Sequence, residues 1–116
     1  MNKVIRDGMV AVLYSPGYGA GWSTWSMVRG HDTELMFDPS IVTLVEDRDA
    51  GKITDAQLVE LVEAYCNQTY GDNEVYCGGV EDLRIEWIPE GTQFKINEYD
   101  GSESIEYKEN DYWVTA

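Results

Sequence analysis

The 116-residue chain holds one histidine, two cysteines and three prolines, and only eight Lys or Arg residues against 22 Asp and Glu. Each shortage excludes something. With a formal charge of −14 there is no basic surface to track phosphates, so direct nucleic-acid binding of that kind is excluded. The lone histidine, His31, and the two cysteines, Cys66 and Cys77, form neither a CxxC motif nor a His/Cys cluster, so no metal and no cofactor is expected. No apolar run approaches the ~20 residues of a membrane-spanning helix. The opening MNKVIRDGMVAV is polar up to Asp7 and Gly8, unlike a secretory signal. A cytoplasmic protein without membrane contact is therefore expected, with its two thiols reduced rather than paired. Catalysis also lacks parts. A nucleophile needs a base within hydrogen-bond reach, and with one histidine the surviving catalytic alternative is a small hydrolase working through His31.

What is present is unevenly spread. Residues 1–31 carry Lys3, Arg6 and Arg29 against one acid, Asp7, whereas residues 32–116 carry all the other acids against Arg48, Lys52, Arg84, Lys95 and Lys108. The run MVAVLY, Met9 to Tyr14, predicts a buried strand closed by Ser15-Pro16-Gly17. Asp38 before Pro39 predicts an N-cap and first turn, with Ile41, Leu44 and Val45 on one face and an end near Ala50-Gly51. Thr54 and Gln57 predict a capping box and Ile53 with Leu58 a hydrophobic staple. Leu58, Leu61, Val62 and Tyr65 then form the apolar face of a second helix, and Asp55, Glu60 and Glu63 its solvent face.

Beyond Gly79 the period becomes two. Leu83, Ile85 and Trp87 alternate with Arg84 and Glu86, and Phe94 and Ile96 with Lys95 and Asn97. These read as antiparallel strands joined through Pro89-Glu90-Gly91. Asp100-Gly101 reads as a tight turn into a further strand, and Tyr112 to Val114 as a last short one. The expected fold is α+β: a single domain over 1–116 with an antiparallel sheet of about four to five strands and two helices packed on one face.

The segment DRDAGKITDAQL, Asp47 to Leu58, imitates a calcium-binding EF-hand loop between two helices. It lacks the third acidic ligand before the glycine and a bidentate glutamate at its end, so a helix–turn–helix connection is expected there instead.

The most unusual stretch is SPGYGAGWSTW, residues 15–25. Gly17, Gly19 and Gly21 would let backbone N–H groups approach an anion closely and adopt positive φ, as phosphate-binding nests do. The spacing is neither a dinucleotide fingerprint nor a Walker loop. Tyr18, Trp22 and Trp25 add rings for stacking, Ser23 a hydroxyl, and Arg29 and His31 a means of pairing with an anion. These nine residues are the candidate ligand-binding set.

The stretches KVIRDGMVAVLYSPGYGAGWSTW and EWIPEGTQFKINEYDGSESIE, with the acidic middle between them, resemble a family of small acidic proteins encoded by tailed bacteriophages, over most of the chain. The resemblance implies a context and gives no residue a role. Small single-domain phage proteins often act by binding and blocking a host component, which favours binding over catalysis and places the action in the host cytoplasm. The leading expectation is a non-enzymatic counter-defence protein that sequesters a nucleotide-like ligand in the Gly17–Trp25 pocket. The alternative is an acidic inhibitor that imitates phosphate spacing and occupies the basic groove of a host nucleic-acid-binding protein. A homo-oligomer could complete a pocket across a symmetric interface.

Overall fold

The computed structural model describes residues 2–17, 21–25 and 32–107. Two Asp-Gly pairs set its hairpins. Asp7 and Gly8 have φ of 52° and 76°, Asp100 and Gly101 of 52° and 82°, the paired positive values that a two-residue turn of right-twisted strands requires. The first pair joins β1 (Ile5–Arg6) to β2 (Met9–Tyr14) and the second joins β4 (Phe94–Tyr99) to β5 (Ser102–Tyr107).

β2 is the spine. It pairs antiparallel with β3 (Arg84–Pro89), from Met9 opposite Pro89 to Tyr14 opposite Arg84, in a three-stranded sheet of order β1-β2-β3. Both its faces are covered: Ala11 and Leu13 enter the main core, while Val10 and Val12 join Phe37 and Ile88 in a second cluster. A strand buried on both faces reads as an unbroken apolar run, which MVAVLY is.

The expected continuation of one sheet from β3 into β4 does not occur. β4 and β5 form a separate two-stranded sheet. After Pro89 the chain turns through a Thr92 N–H to Pro89 carbonyl bond of 3.0 Å, and the hairpin folds over the sheet, where Phe94, Ile96, Ile105 and Tyr107 cover Val10, Val12 and Ile88. Extending the sheet edge would have left those three aliphatic side chains in water; stacking buries them.

Three helices cover the opposite face. α1 (Asp32–Phe37), with no counterpart in the sequence expectations, places Leu35 in the main core and Phe37 in the second cluster. α2 (Pro39–Asp49) begins where expected, the Asp38 carboxylate accepting from the Ser40 and Ile41 N–H groups. It ends in a Schellman cap: Gly51, φ 76°, donates to the Arg48 carbonyl and Lys52 to that of Asp47. The EF-hand-like loop is thus a helix terminus. Arg48 pairs with Asp49 at 2.8 Å and Asp55 at 3.4 Å, and donates to the Glu81 and Leu83 carbonyls, tying α2 to the 3₁₀ turn at Val80–Asp82.

α3 (Asp55–Tyr70) has the full Thr54–Gln57 capping box. Leu58, Val62 and Cys66 form its buried stripe; Leu61, expected on that face, is 43% exposed. The buried positions recur every four residues, so the stripe is narrow and Leu61 flanks it. The architecture is therefore α+β with antiparallel sheets of three and two strands and three helices. Tyr112 to Val114 lie outside the described residues. Among the described residues no helix is long and apolar enough to cross a membrane.

Candidate functional site

The glycine-aromatic loop encloses an anion, and the anion belongs to the protein. Glu103, beside the β4–β5 turn, is 1% exposed. Its Oε1 accepts the Ser15 N–H at 2.9 Å, and its Oε2 accepts the Trp22 N–H at 2.9 Å, the Thr24 N–H at 3.1 Å and the Thr24 hydroxyl. The Glu103 N–H returns a bond of 2.8 Å to the Ser15 carbonyl, and the Ser102 hydroxyl donates to Pro16 at 2.7 Å. A carboxylate removed from water costs several kcal/mol unless its lone pairs are satisfied. Here four donors from a single loop satisfy them. The backbone donors at Ser15, Trp22 and Thr24, in the same stretch as the expected nest, are therefore directed at the protein's own side chain.

The loop residues follow from this. Trp22, expected to stack on a ligand, is fully buried in the main core, and its indole Nε1–H donates to the Leu35 carbonyl at 3.0 Å. Ser23 is also buried, its Oγ without a hydrogen-bond partner among the described residues. Neither Gly17 nor Gly21 has a positive φ. Their smallness serves packing: a Cβ on Gly21 would strike the Trp25 ring, and one on the neighbouring Gly79 would strike the Gly21 carbonyl oxygen, backbone with no freedom to move aside. Tyr18, Gly19, Arg29 and His31 lie outside the described residues. Of the nine candidates, the structure places Gly17, Gly21, Trp22, Ser23 and Trp25, and only Trp25 lines a groove.

Asp38 repeats the Glu103 device between helices. It is 5% exposed, and besides capping α2 it accepts from the Tyr65 hydroxyl at 2.8 Å and the Tyr70 hydroxyl at 2.7 Å. Burial, then the Asp38 hydrogen bond and charge, push the Tyr70 phenol above its ordinary value. Both buried acids are thus held by donors rather than by cations, and both have structural roles.

Trp25 leaves the loop for a different neighbourhood. Its Nε1–H donates to Glu98 at 2.7 Å and its ring meets Tyr76 with centroids 5.1 Å apart at 52°. Both rings line a groove of about 770 Å³ between α3 and the segment 73–81. Val59 and Val75 supply apolar lining, Cys77 a thiol, and Glu63, Glu74 and Glu81 three exposed carboxylates. No ion pair joins those three to a described cation, whereas Arg6, Arg48 and Lys95 pair with acids elsewhere. An aromatic pair with an excess of carboxylates suits an ammonium or guanidinium group, which gains from ring faces and negative charge together. It repels a phosphate.

The sequence expectations named Trp25, and placed Glu63 on the solvent face of α3, but missed Tyr76, Glu74 and Glu81 as a set. Nothing in their spacing links residues 63, 74–76 and 81 until α3 and the segment after it are folded together. Comparison of the chain with protein-family models, with curated proteins and with solved structures returns no match. Among the described residues no group of three or more His, Cys, Asp or Glu is arranged to hold a metal ion.

Proposed function

We propose that this is a non-catalytic binding protein whose groove at Trp25 and Tyr76 seats an arginine- or lysine-bearing segment of a basic partner protein. One observation carries the reading: two aromatic rings and three carboxylates without a paired cation among the described residues line the same groove on a chain of net charge −14. The net charge would draw a basic partner in from a distance, and the rings would fix a guanidinium or ammonium at the end of its approach. The resemblance to phage proteins suggests a host partner, and a nucleic-acid-binding protein presents the basic surface required. The competing proposal, sequestration of a nucleotide-like molecule by residues 17–31, draws no support from the loop donors at Ser15, Trp22 and Thr24, which Glu103 already occupies.

Calorimetric titration with hexa-arginine, and separately with a panel of cyclic and ADP-ribose-type nucleotides, at low and at physiological salt, tests the two together. The reading expects hexa-arginine to bind, with affinity falling steeply as salt rises because the attraction is spread over exposed charges. Trp25→Ala should weaken it. Nucleotide binding with no response to the basic peptide would overturn the reading in favour of the competing one.

A further inference from the structure

Trp25 is held by residues that lie outside the groove. Its indole Nε1–H donates to Glu98 Oε1 at 2.7 Å, and the same oxygen accepts the Gly101 N–H at 3.3 Å, from the turn that follows β4. Its ring packs on the Gly21 backbone, where a Cβ would strike it. Its own N–H donates to the Trp22 carbonyl at 3.2 Å, and the Thr24 N–H before it donates to Glu103 at 3.1 Å. Glu98 is exposed and is not among the described residues that line the groove. It stands directly opposite Glu103 in the β4–β5 pair, an arrangement of like charges that weakens strand pairing. Each of the two carboxylates is committed to one of two adjacent loop residues, Glu103 to Thr24 and Glu98 to Trp25, which offsets that repulsion and ties the loop to the hairpin.

We propose that Glu98 is a positioning residue for the groove: its hydrogen bond to the indole fixes the Trp25 ring in the orientation on which a guanidinium or ammonium group of the partner stacks. This rests on the groove seating such a cation. A tryptophan side chain turns about two bonds, and a partner that must first order it loses affinity by about 2- to 12-fold. Glu98 completes that ordering before the partner arrives. The bond is made at the edge of the ring, so it takes up none of the face that attracts a cation. Charge strengthens the bond, but its geometry needs only an acceptor oxygen at that reach. The β4–β5 hairpin thereby takes part in binding without lining the groove at Glu98: its cross-strand glutamates hold the chain at Thr24 and the ring at Trp25.

Two substitutions separate position from charge. Glu98→Asp keeps the charge and withdraws the oxygen by one methylene, whereas Glu98→Gln removes the charge and keeps an oxygen at the same reach. Each is titrated calorimetrically with hexa-arginine at physiological salt, the Trp25 indole N–H resonance of the free, isotope-labelled chain is recorded, and circular dichroism confirms the fold. Glu98→Asp should move that resonance and weaken hexa-arginine by about 2- to 12-fold, while Glu98→Gln should stay close to the wild-type affinity. In the wild-type chain the Trp25 indole proton should exchange with water more slowly than in the urea-unfolded chain; equal exchange would overturn the proposal whether or not a variant folds. Weakening by Glu98→Gln with Glu98→Asp unchanged would reduce Glu98 to a charge, and unchanged affinity in both would reduce it to a link in the scaffold. Either result overturns the proposal and leaves the reading of the groove standing, provided Trp25→Ala still weakens binding. Undiminished binding by Trp25→Ala would overturn that reading, and the role of Glu98 with it.

Discussion

The loop at 15–25 and the groove between α3 and residues 73–81 both combine aromatic rings with carboxylates, and they use them in opposite ways. In the loop, a single carboxylate, Glu103, collects donors from Ser15, Trp22 and Thr24, and the ring of Trp22 is sealed in the core. In the groove, Glu63, Glu74 and Glu81 stand exposed around Trp25 and Tyr76. The lesson is that residue type does not separate a site from a scaffold; the state of its hydrogen bonds does. A buried acid whose oxygens are satisfied holds the fold, whereas the exposed groove acids, without ion-pair partners among the described residues, carry the proposed binding role.

The comparison breaks most readily at the loop. Trp22→Ala should remove about 3–5 kcal/mol of stability, the range for emptying a core of an aromatic ring. Glu103→Ala should cost about 2–3 kcal/mol or more, because it strands the buried Ser15 and Trp22 N–H groups as well as the two Thr24 donors. Glu103→Gln keeps the shape but replaces one acceptor oxygen with a donor, and should cost about 1–3 kcal/mol. Urea unfolding monitored by circular dichroism measures all three. If Trp22→Ala left the stability unchanged, the ring would be a surface residue and the loop a candidate site again.

A second prediction concerns pH. Burial and a hydrogen bond to Glu86 raise the Tyr107 phenol from 10.0 to about 12, and Tyr65 and Tyr70 are also raised. A group with a raised folded pKa contributes stability that is whole below its unfolded pKa and is lost as pH climbs through the folded one. Stability should therefore hold up to about pH 10 and decline between about pH 10 and 12, and Tyr107→Phe should flatten that decline. Denaturation midpoints across this range check it; an unchanged slope in the variant would show that Tyr107 is not the group responsible.

The smallest effect on stability belongs to the groove. Glu63→Lys and Glu81→Lys, at exposed positions without ion-pair partners among the described residues, should shift unfolding by no more than about 0.5 kcal/mol. They should nevertheless abolish the response to hexa-arginine. A large loss of stability with binding intact would invert the contrast between loop and groove.

Much of the scaffold was legible because its signals are local. The Asp38–Pro39 start, the Thr54–Gln57 capping box and the Asp100-Gly101 turn each involve residues within a few positions of one another, and all appear as expected. The sheet order was not legible. Period two marks which face of a strand is apolar, but not whether the next hairpin extends the sheet or stacks on it, and stacking was decided by Val10, Val12 and Ile88 on the far face. The loop misled for a related reason. Backbone donors beside its glycines, at Ser15, Trp22 and Thr24, do hold an anion, but the anion comes from residue 103, and long-range pairing of that kind leaves no trace in spacing. Glu103 itself sits in a strand whose alternation, Ser-Glu-Ser-Ile-Glu-Tyr, offers no hint that one glutamate is buried and the next, Glu106, exposed.

The most direct test of the central claim is a two-dimensional amide NMR titration of the isotope-labelled chain with hexa-arginine. The account predicts shifts confined to the groove, at the Trp25 indole and the amides of Glu63, Asn67 and Glu74–Gly78, with the Ser15, Trp22 and Thr24 amides unmoved because Glu103 holds them. Shifts centred on Ser15, Trp22 and Thr24, with the groove silent, would contradict it.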